Sequence, residues 1–288
     1  MRQKLLKVSS FSKASILEAQ REVDQIFYDI DAPENRDKAL IRLFAFLKGR
    51  TAAAQVLVEY DMHWDAEILL RPFYEACAKI LFICYQLPEN KGKIANEFLF
   101  ELSEIHSLQN KNKAEPARKL METHDETNGE KAMAALQDDR IFTFSKLSRK
   151  ERQSLLRRWS FSSIICFLDQ EAAEFAPTKN IGALTHMYSA QSHLSHADIC
   201  GLGLIEDEAL RSNSDLQAKV ASHICRILSD QSSLWLICME ALRWTRGETI
   251  FGTHSAWKHW KCMNSHTAPI NEHFWKTQTE YYDKYSKT

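Results

Sequence analysis

Ala66-Glu-Ile-Leu-Leu-Arg-Pro-Phe-Tyr-Glu-Ala-Cys-Ala-Lys-Ile-Leu-Phe-Ile-Cys-Tyr-Gln86 is the stretch that decides the fold class. Leu69, Leu70, Phe73, Cys77, Ile80, Leu81 and Cys84 recur at helical spacing and make one face. Ile68, Tyr74, Ala78, Phe82 and Tyr85 fill much of the remainder. A helix apolar almost all round belongs at the centre of an all-helical core, so 62–86 is predicted to be the central helix. Arg71 and Glu75 lie inside it, four apart and adjacent on its surface. The pair is either a surface pair on a narrow exposed strip or a partly buried one whose spare hydrogen-bonding capacity meets the serine and histidine stripe at 185–198; buried charges need partners, and the second is the expectation. Pro72 cannot donate to the Ile68 carbonyl, which predicts a kink or a restart at that point.

The rest of the chain is consistent with that helix. Only 8 glycines and 6 prolines occur in 288 residues, too few for a many-stranded β architecture with its many tight turns. Amphipathic patterns predict helices over Ser9 to Ile30, Asn35 to Tyr60 and Lys93 to Leu108. Gln109 to Gly129 is polar and reads as an exposed helical extension broken near Pro116, with Asn128-Gly129 as a turn. Ser148-Arg-Lys-Glu151 has the form of a capping box opening a basic helix. Ser214 or Asp215 is expected to cap a long helix through Leu242. The fold class is therefore all-α, a multi-helix bundle over 1–246 with a peripheral polar and basic insertion at 109–160. A tail at 247–288 carries Phe251, Trp257, Trp260, Phe274, Trp275, Tyr281, Tyr282 and Tyr285. It could pack on the body, clasp a second subunit as a homodimer, or offer stacking surfaces.

The bulk numbers exclude more than they assign. Hydrophobic residues make up 44%, ample for a core, and a formal charge of −1 gives no global attraction to nucleic acid or anionic membrane. The 7 cysteines show no Cys-x-x-Cys pairing, and Cys77, Cys84, Cys166, Cys225 and Cys238 sit in apolar helical runs. With no export signal at the start and no apolar run long enough to span a bilayer, the expectation is a cytoplasmic protein without a membrane partner.

Thr185-His-Met-Tyr-Ser-Ala-Gln-Ser-His-Leu-Ser-His-Ala-Asp198 concentrates chemistry in what otherwise reads as a core-forming helix. At about 100° per residue, Tyr188, Ser192 and His196 share one stripe, flanked by Ser189, His193 and Ser195. The helix is expected to end at Cys200-Gly-Leu-Gly203. So polar a helix either faces water or organises a site, and a site is the expectation. His193 and His196, with Asp198 or His186, could face one metal ion. The His-Glu-x-x-His pattern is missing, however, and hydrogen-bonded structural histidines are commoner than ligands, so no metal is assigned. Serine nucleophiles usually sit on a strained turn, whereas mid-helix serines bond back to their own helix. Dinucleotide and phosphate-loop motifs are missing, so no cofactor is assigned. RNA has two candidate carriers, the basic segment Lys146–Arg158 and the aromatic tail.

Arg71-x-x-x-Glu75 in one helix, with Tyr188-x-x-x-Ser192-x-x-x-His196 in another, resembles a family of uncharacterised bacterial all-helical proteins. The resemblance spans roughly residues 35 to 245 and rests on those spaced residues. That family's layout is similar to the HEPN-like bundles, many of which are metal-independent ribonucleases in defence and toxin systems. The resemblance thus implies a HEPN-like up-down core and a role in defence or stress response. Such nucleases carry an arginine four to six residues before a histidine. Here Ser189, Ala190 and Gln191 stand in the place of that arginine, so an active nuclease would borrow its cation from Arg71. Arg118-Lys-Leu-Met-Glu-Thr-His124 satisfies the spacing but lies in the polar insertion and reads as coincidence.

Three functions are therefore expected in descending order. The first is a polar site of Arg71, Glu75, Tyr188, Ser192 and His196 used to recognise a ligand or partner. The second is a metal-independent ribonuclease in which His196 is general acid or base, Arg71 holds the phosphate and Tyr188 orients it. The third is a buried hydrogen-bond network that only specifies helix packing.

Overall fold

The computed structural model describes residues 2–86, 90–121, 128–170, 181–248 and 251–285. Within them the chain forms twelve α-helices and no strand, as composition predicts. No helix among the described residues is long and apolar enough to cross a membrane. The chain divides into two compact units, one built from 1–32, 40–85 and 165–288 and the other from 33–39 and 86–164.

The larger unit holds α1 (Arg2–Tyr28), most of α2 (Asn35–Glu59), α3 (His63–Cys84), α9 (Leu184–Ser195), α10 (Ile199–Ala209), α11 (Asn213–Trp244) and α12 (Ala256–Tyr285). α1, α11 and α12 pack on one another, α3 lies along α11, and α9 lies along α3. Serines mark the close approach of α1 to its neighbours. Ser12 Oγ meets Ser232 Oγ at 2.8 Å, and Ser15 Oγ donates to the Ala256 carbonyl at 3.1 Å. Trp235 is wholly buried, packs on Phe44 and donates its indole N–H to Thr51 Oγ1 at 2.7 Å, tying α11 to α2. α3 fulfils its reading as a central helix: Leu70, Phe73, Tyr74, Ile80, Leu81, Ile83 and Cys84 are all fully buried. The helix continues through Pro72 without a restart.

Several boundaries differ from expectation. The glycines of Cys200-Gly-Leu-Gly203 do not end the polar helix; they lie inside α10. The stop comes earlier, at His196, and Ala197 takes φ +48°, the left-handed conformation that turns the chain. Asp198 then caps α10, accepting from Cys200 N–H at 3.0 Å and Gly201 N–H at 3.1 Å. Ser212, not Ser214 or Asp215, caps α11. The tail from 247 does not stand apart: α12 packs along α1 and α11, and Trp257 and Trp260 donate to Glu240 and Ser233 at 2.9 and 2.8 Å. Cys77, Cys84, Cys225 and Cys238 are buried as expected, whereas Cys166 is exposed.

In the smaller unit, the helix expected over Lys93 to Leu108 is α4 (Lys91–Asn96), a π-helical turn (Glu97–Glu101) and α5 (Leu102–Met121) in succession. Glu97 in that turn is buried and holds Arg158 at 3.0 Å and the Trp159 indole N–H at 3.1 Å. Pro116 does not break α5. Both it and Asn112, whose carbonyl it leaves without a helical donor, are exposed, so the carbonyl is not buried without a partner. Asn128-Gly129 opens α6 (Asn128–Ala135) and is not a turn. α7 (Arg149–Arg158) begins with the expected capping box, Ser148 and Glu151 each accepting the other's backbone N–H. It leads into α8 (Phe161–Gln170).

Candidate functional site

Two charged stripes face each other where α3, α9 and α11 meet. On α3, Glu67, Arg71 and Glu75 repeat every fourth residue and so line one edge of an otherwise apolar helix. On α11, His223, Arg226 and Asp230 occupy the corresponding edge. α9 brings Tyr188 and Gln191 onto the α3 stripe.

At the outer end, Arg71 Nη2 donates to Tyr188 Oη at 3.1 Å, and the guanidinium carbon sits 4.4 Å from the centre of the Tyr188 ring. The Tyr188 hydroxyl donates in turn to Glu75 Oε1 at 2.6 Å. Burial and that hydrogen bond to Glu75 push the Tyr188 pKa up, keeping the phenol protonated as a donor. Arg71 Nε stands 4.0 Å from Glu75 Oε1, and Lys79 Nζ 3.8 Å from Glu75 Oε2. The Arg71, Glu75 and Lys79 side chains are 27%, 34% and 28% exposed, so the group opens to solvent. Arg71 Nη1 is buried and has no hydrogen-bond partner among the described residues.

At the inner end, Glu67 is buried and surrounded. It accepts from Gln191 Nε2 at 2.9 Å and His223 Nε2 at 2.9 Å, and from Arg226 Nη2. Burial alone would raise its pKa, but the His223 hydrogen bond and the Arg226 charge outweigh it and hold Glu67 down at about 2. Burial lowers the His223 pKa, and Glu67 offsets this only in part. His223 is therefore neutral near pH 7 with its proton on Nε2, which leaves Nδ1 as the acceptor nitrogen. Arg226 Nη1 also reaches Asp230 Oδ2 at 3.0 Å, and the wholly buried Tyr74 donates its hydroxyl to the same oxygen at 2.5 Å. Burial raises the Asp230 pKa despite Arg226 and raises that of Tyr74 further. Trp64 and His63 close the network. Their rings stand 4.8 and 5.2 Å from that of His223, and both bond to Glu208, at 3.0 and 3.3 Å.

Of the residues singled out from the sequence, Arg71, Glu75 and Tyr188 are joined directly. Ser192 and His196 are not joined to them by any hydrogen bond or ion pair among the described residues. The expected Tyr188–Ser192–His196 stripe is cut short because α9 stops at Ser195, leaving Ser192 half-buried and His196 exposed as the C-capping residue. Ser195 bonds back to the Gln191 carbonyl at 2.7 Å, and His186 and Ser189 are exposed. His193 Nδ1 meets Asp198 Oδ2 at 2.5 Å. In the smaller unit, Arg158 is held by Glu97, while Lys146, Arg149, Lys150 and Arg157 are exposed. His124, the histidine of the Arg118 spacing, lies outside the described residues.

Glu67, Gln191, His223, Arg226 and Asp230 were missed in the sequence reading, although a signal was present. Each is a hydrogen-bonding or charged residue at helical spacing within an apolar pattern, where its partners have to come from neighbouring helices. Comparisons with protein-family models, curated proteins and solved structures return no match, so the family resemblance rests on the spaced residues alone.

Proposed function

We propose that the outer end of this polar seam recognises an anionic group, a phosphate or carboxylate of a small ligand or partner, with Arg71 as the contact residue. The carrying observation is the unspent donor capacity of Arg71. A guanidinium offers five N–H donors in a planar fork suited to oxyanions. Among the described residues Arg71 makes one hydrogen bond, to Tyr188, and its buried Nη1 makes none, an unmet donor that an anion entering beside the part-exposed guanidinium would satisfy. Tyr188 fixes the plane of the guanidinium from below, which lowers the ordering cost of binding. Glu75 and Lys79 flank it, so Arg71, Glu75 and Lys79 together carry one net positive charge. The inner network anchors the helices that carry these groups and supplies rigidity.

Thermal melts of the whole chain with increasing inorganic phosphate or adenosine monophosphate test this reading. A saturable rise in Tm is expected for the native chain and for Tyr188→Phe at reduced affinity, with none for Arg71→Ala. Equal rises in the native chain and Arg71→Ala would rule the reading out.

Recognition is favoured over ribonuclease chemistry because that chemistry asks His196 to work beside Arg71, and among the described residues no hydrogen bond links His196 to the seam. A second reading, RNA contact through α7, has its own support. The inner face of α7 is occupied by buried Leu155 and by the Arg158–Glu97 pair, which turns Arg149, Lys150 and Arg157 outward. Binding of a single-stranded oligoribonucleotide would then weaken with salt, and the slope of log K against log[salt] would fall by about 0.7 for each of these cations removed.

A further inference from the structure

We infer that the corner between α9 and α10 is a metal site, in which His193, Asp198 and Cys200 bind one zinc-like divalent ion and leave a fourth position open. Their ligand atoms, an imidazole nitrogen, a carboxylate oxygen and a thiol sulfur, all lie within 4.8 Å of one another. Nitrogen, oxygen and sulfur donors together suit Zn2+ and its borderline relatives better than Mg2+ or Ca2+, which take oxygen. This set differs from one built on His193 and His196, because the turn at Ala197 carries the chain away and brings Cys200 back beside His193.

The corner is built to hold this geometry. Asp198 Oδ1 is fixed by two backbone N–H groups, leaving Oδ2 to face His193 Nδ1. Gly201 lets the first turn of α10 sit against the last turn of α9. A Cβ there would stand 2.6 Å from the His193 carbonyl oxygen. Cys200 occupies the second position of α10, which places its sulfur beside His193 and Asp198. Cys200 is exposed and the His193 and Asp198 side chains are 42% and 41% exposed, so an ion can enter from solvent. On binding, the Cys200 thiol loses its proton to water. The imidazole changes tautomer so that Nδ1 presents its lone pair. The His193–Asp198 contact then opens from 2.5 Å to about 3.5 Å, the separation of two ligand atoms on one tetrahedral zinc. Rotation of the part-exposed His193 side chain makes that movement while Asp198 Oδ1 stays on its two backbone N–H groups.

Titration of the full chain with Co2+ tests the inference, because a cobalt–thiolate bond gives a charge-transfer band in the near ultraviolet. The native chain is expected to saturate at one equivalent, and Zn2+ should displace the band. Cys200→Ser should abolish it, while Cys166→Ser, Cys262→Ser and His196→Ala should leave it unchanged. His193→Ala and Asp198→Asn should each weaken Co2+ binding at least tenfold. Asparagine is itself a good helix cap, so Asp198→Asn keeps the corner folded, which far-ultraviolet circular dichroism checks. No band in the native chain, a band that survives Cys200→Ser, or native affinity in Asp198→Asn would each overturn the site.

Discussion

Gln191 and Glu67 stand 124 positions apart, yet the Gln191 amide donates to the Glu67 carboxylate at 2.9 Å with both side chains buried. That bond seats α9 on α3, and it carries Tyr188, three residues earlier on α9, over Arg71. The outer, solvent-facing cluster therefore depends on an inner one. Glu67 is the hub, because two helices, α9 and α11, place donors on this one carboxylate of α3.

Removing Arg226 leaves Glu67 with too little positive charge around it. Breaking a buried ion pair from one side costs roughly 3–5 kcal/mol, since the remaining charge stays desolvated. Arg226→Met is expected to lower the unfolding free energy by about that much in urea denaturation. Replacing Arg226 and Glu67 together, by Met and Gln, should recover a large part of the loss. Additive losses in the double variant would contradict the pairing.

The same hub makes stability depend on pH in two stages. The His223 pKa is lowered in the folded state, so the unfolded chain takes up that proton more readily. Stability should be full above about pH 6.5, the ordinary histidine value, and decline as pH falls from there through the folded value. Glu67, held at about 2 against its ordinary 4.5, adds a second decline as pH falls below about 4.5. Denaturation midpoints measured from about pH 8 to about pH 2 check this, and His223→Gln, which can still donate to Glu67, should remove the upper stage only.

Two glycines of α10 should respond oppositely to alanine. At Gly201 a Cβ meets the His193 backbone, and Gly201→Ala is expected to cost about 1–3 kcal/mol. At Gly203 nothing lies within 4 Å, so Gly203→Ala should stabilise by up to about 1 kcal/mol through helix propensity. Thermal melts of the two variants, measured side by side, decide the point.

Tyr188→Phe keeps the ring under Arg71 but removes the hydroxyl that links Arg71 to Glu75. Because the cluster is part-exposed, the expected loss is only about 1 kcal/mol. Tyr188→Ala also removes the stacking face and should cost more. Equal losses in the two variants would mean that the ring contributes nothing.

Much of the scaffold was legible in the sequence, and the reasons are local. The apolar repeat of α3 survives Pro72, and Ser148 with Glu151 sets the start of α7 through contacts three residues apart. Arg71, Glu75 and Tyr188 could be picked out because a charged pair in an apolar helix calls for a polar partner. The end of α9 was not legible. Glycines at 201 and 203 suggested a stop, but the turn is made at Ala197, and Gly201 is needed for packing against His193. His196 therefore leaves the stripe on which its spacing had placed it. The Glu67 hub was hidden for a different reason. Its partners lie on α9 and α11, and single polar residues within long apolar patterns do not announce which helices meet.

The most direct test of the central claim is the arginine side-chain nitrogen–proton spectrum of the 15N-labelled chain, titrated with inorganic phosphate and assigned with Arg71→Lys. A saturable shift of the Arg71 signals is expected, while those of Arg226, already committed to Glu67 and Asp230, stay in place. If Arg71 does not move, or if all exposed arginines drift together without saturation, Arg71 is not a recognition residue.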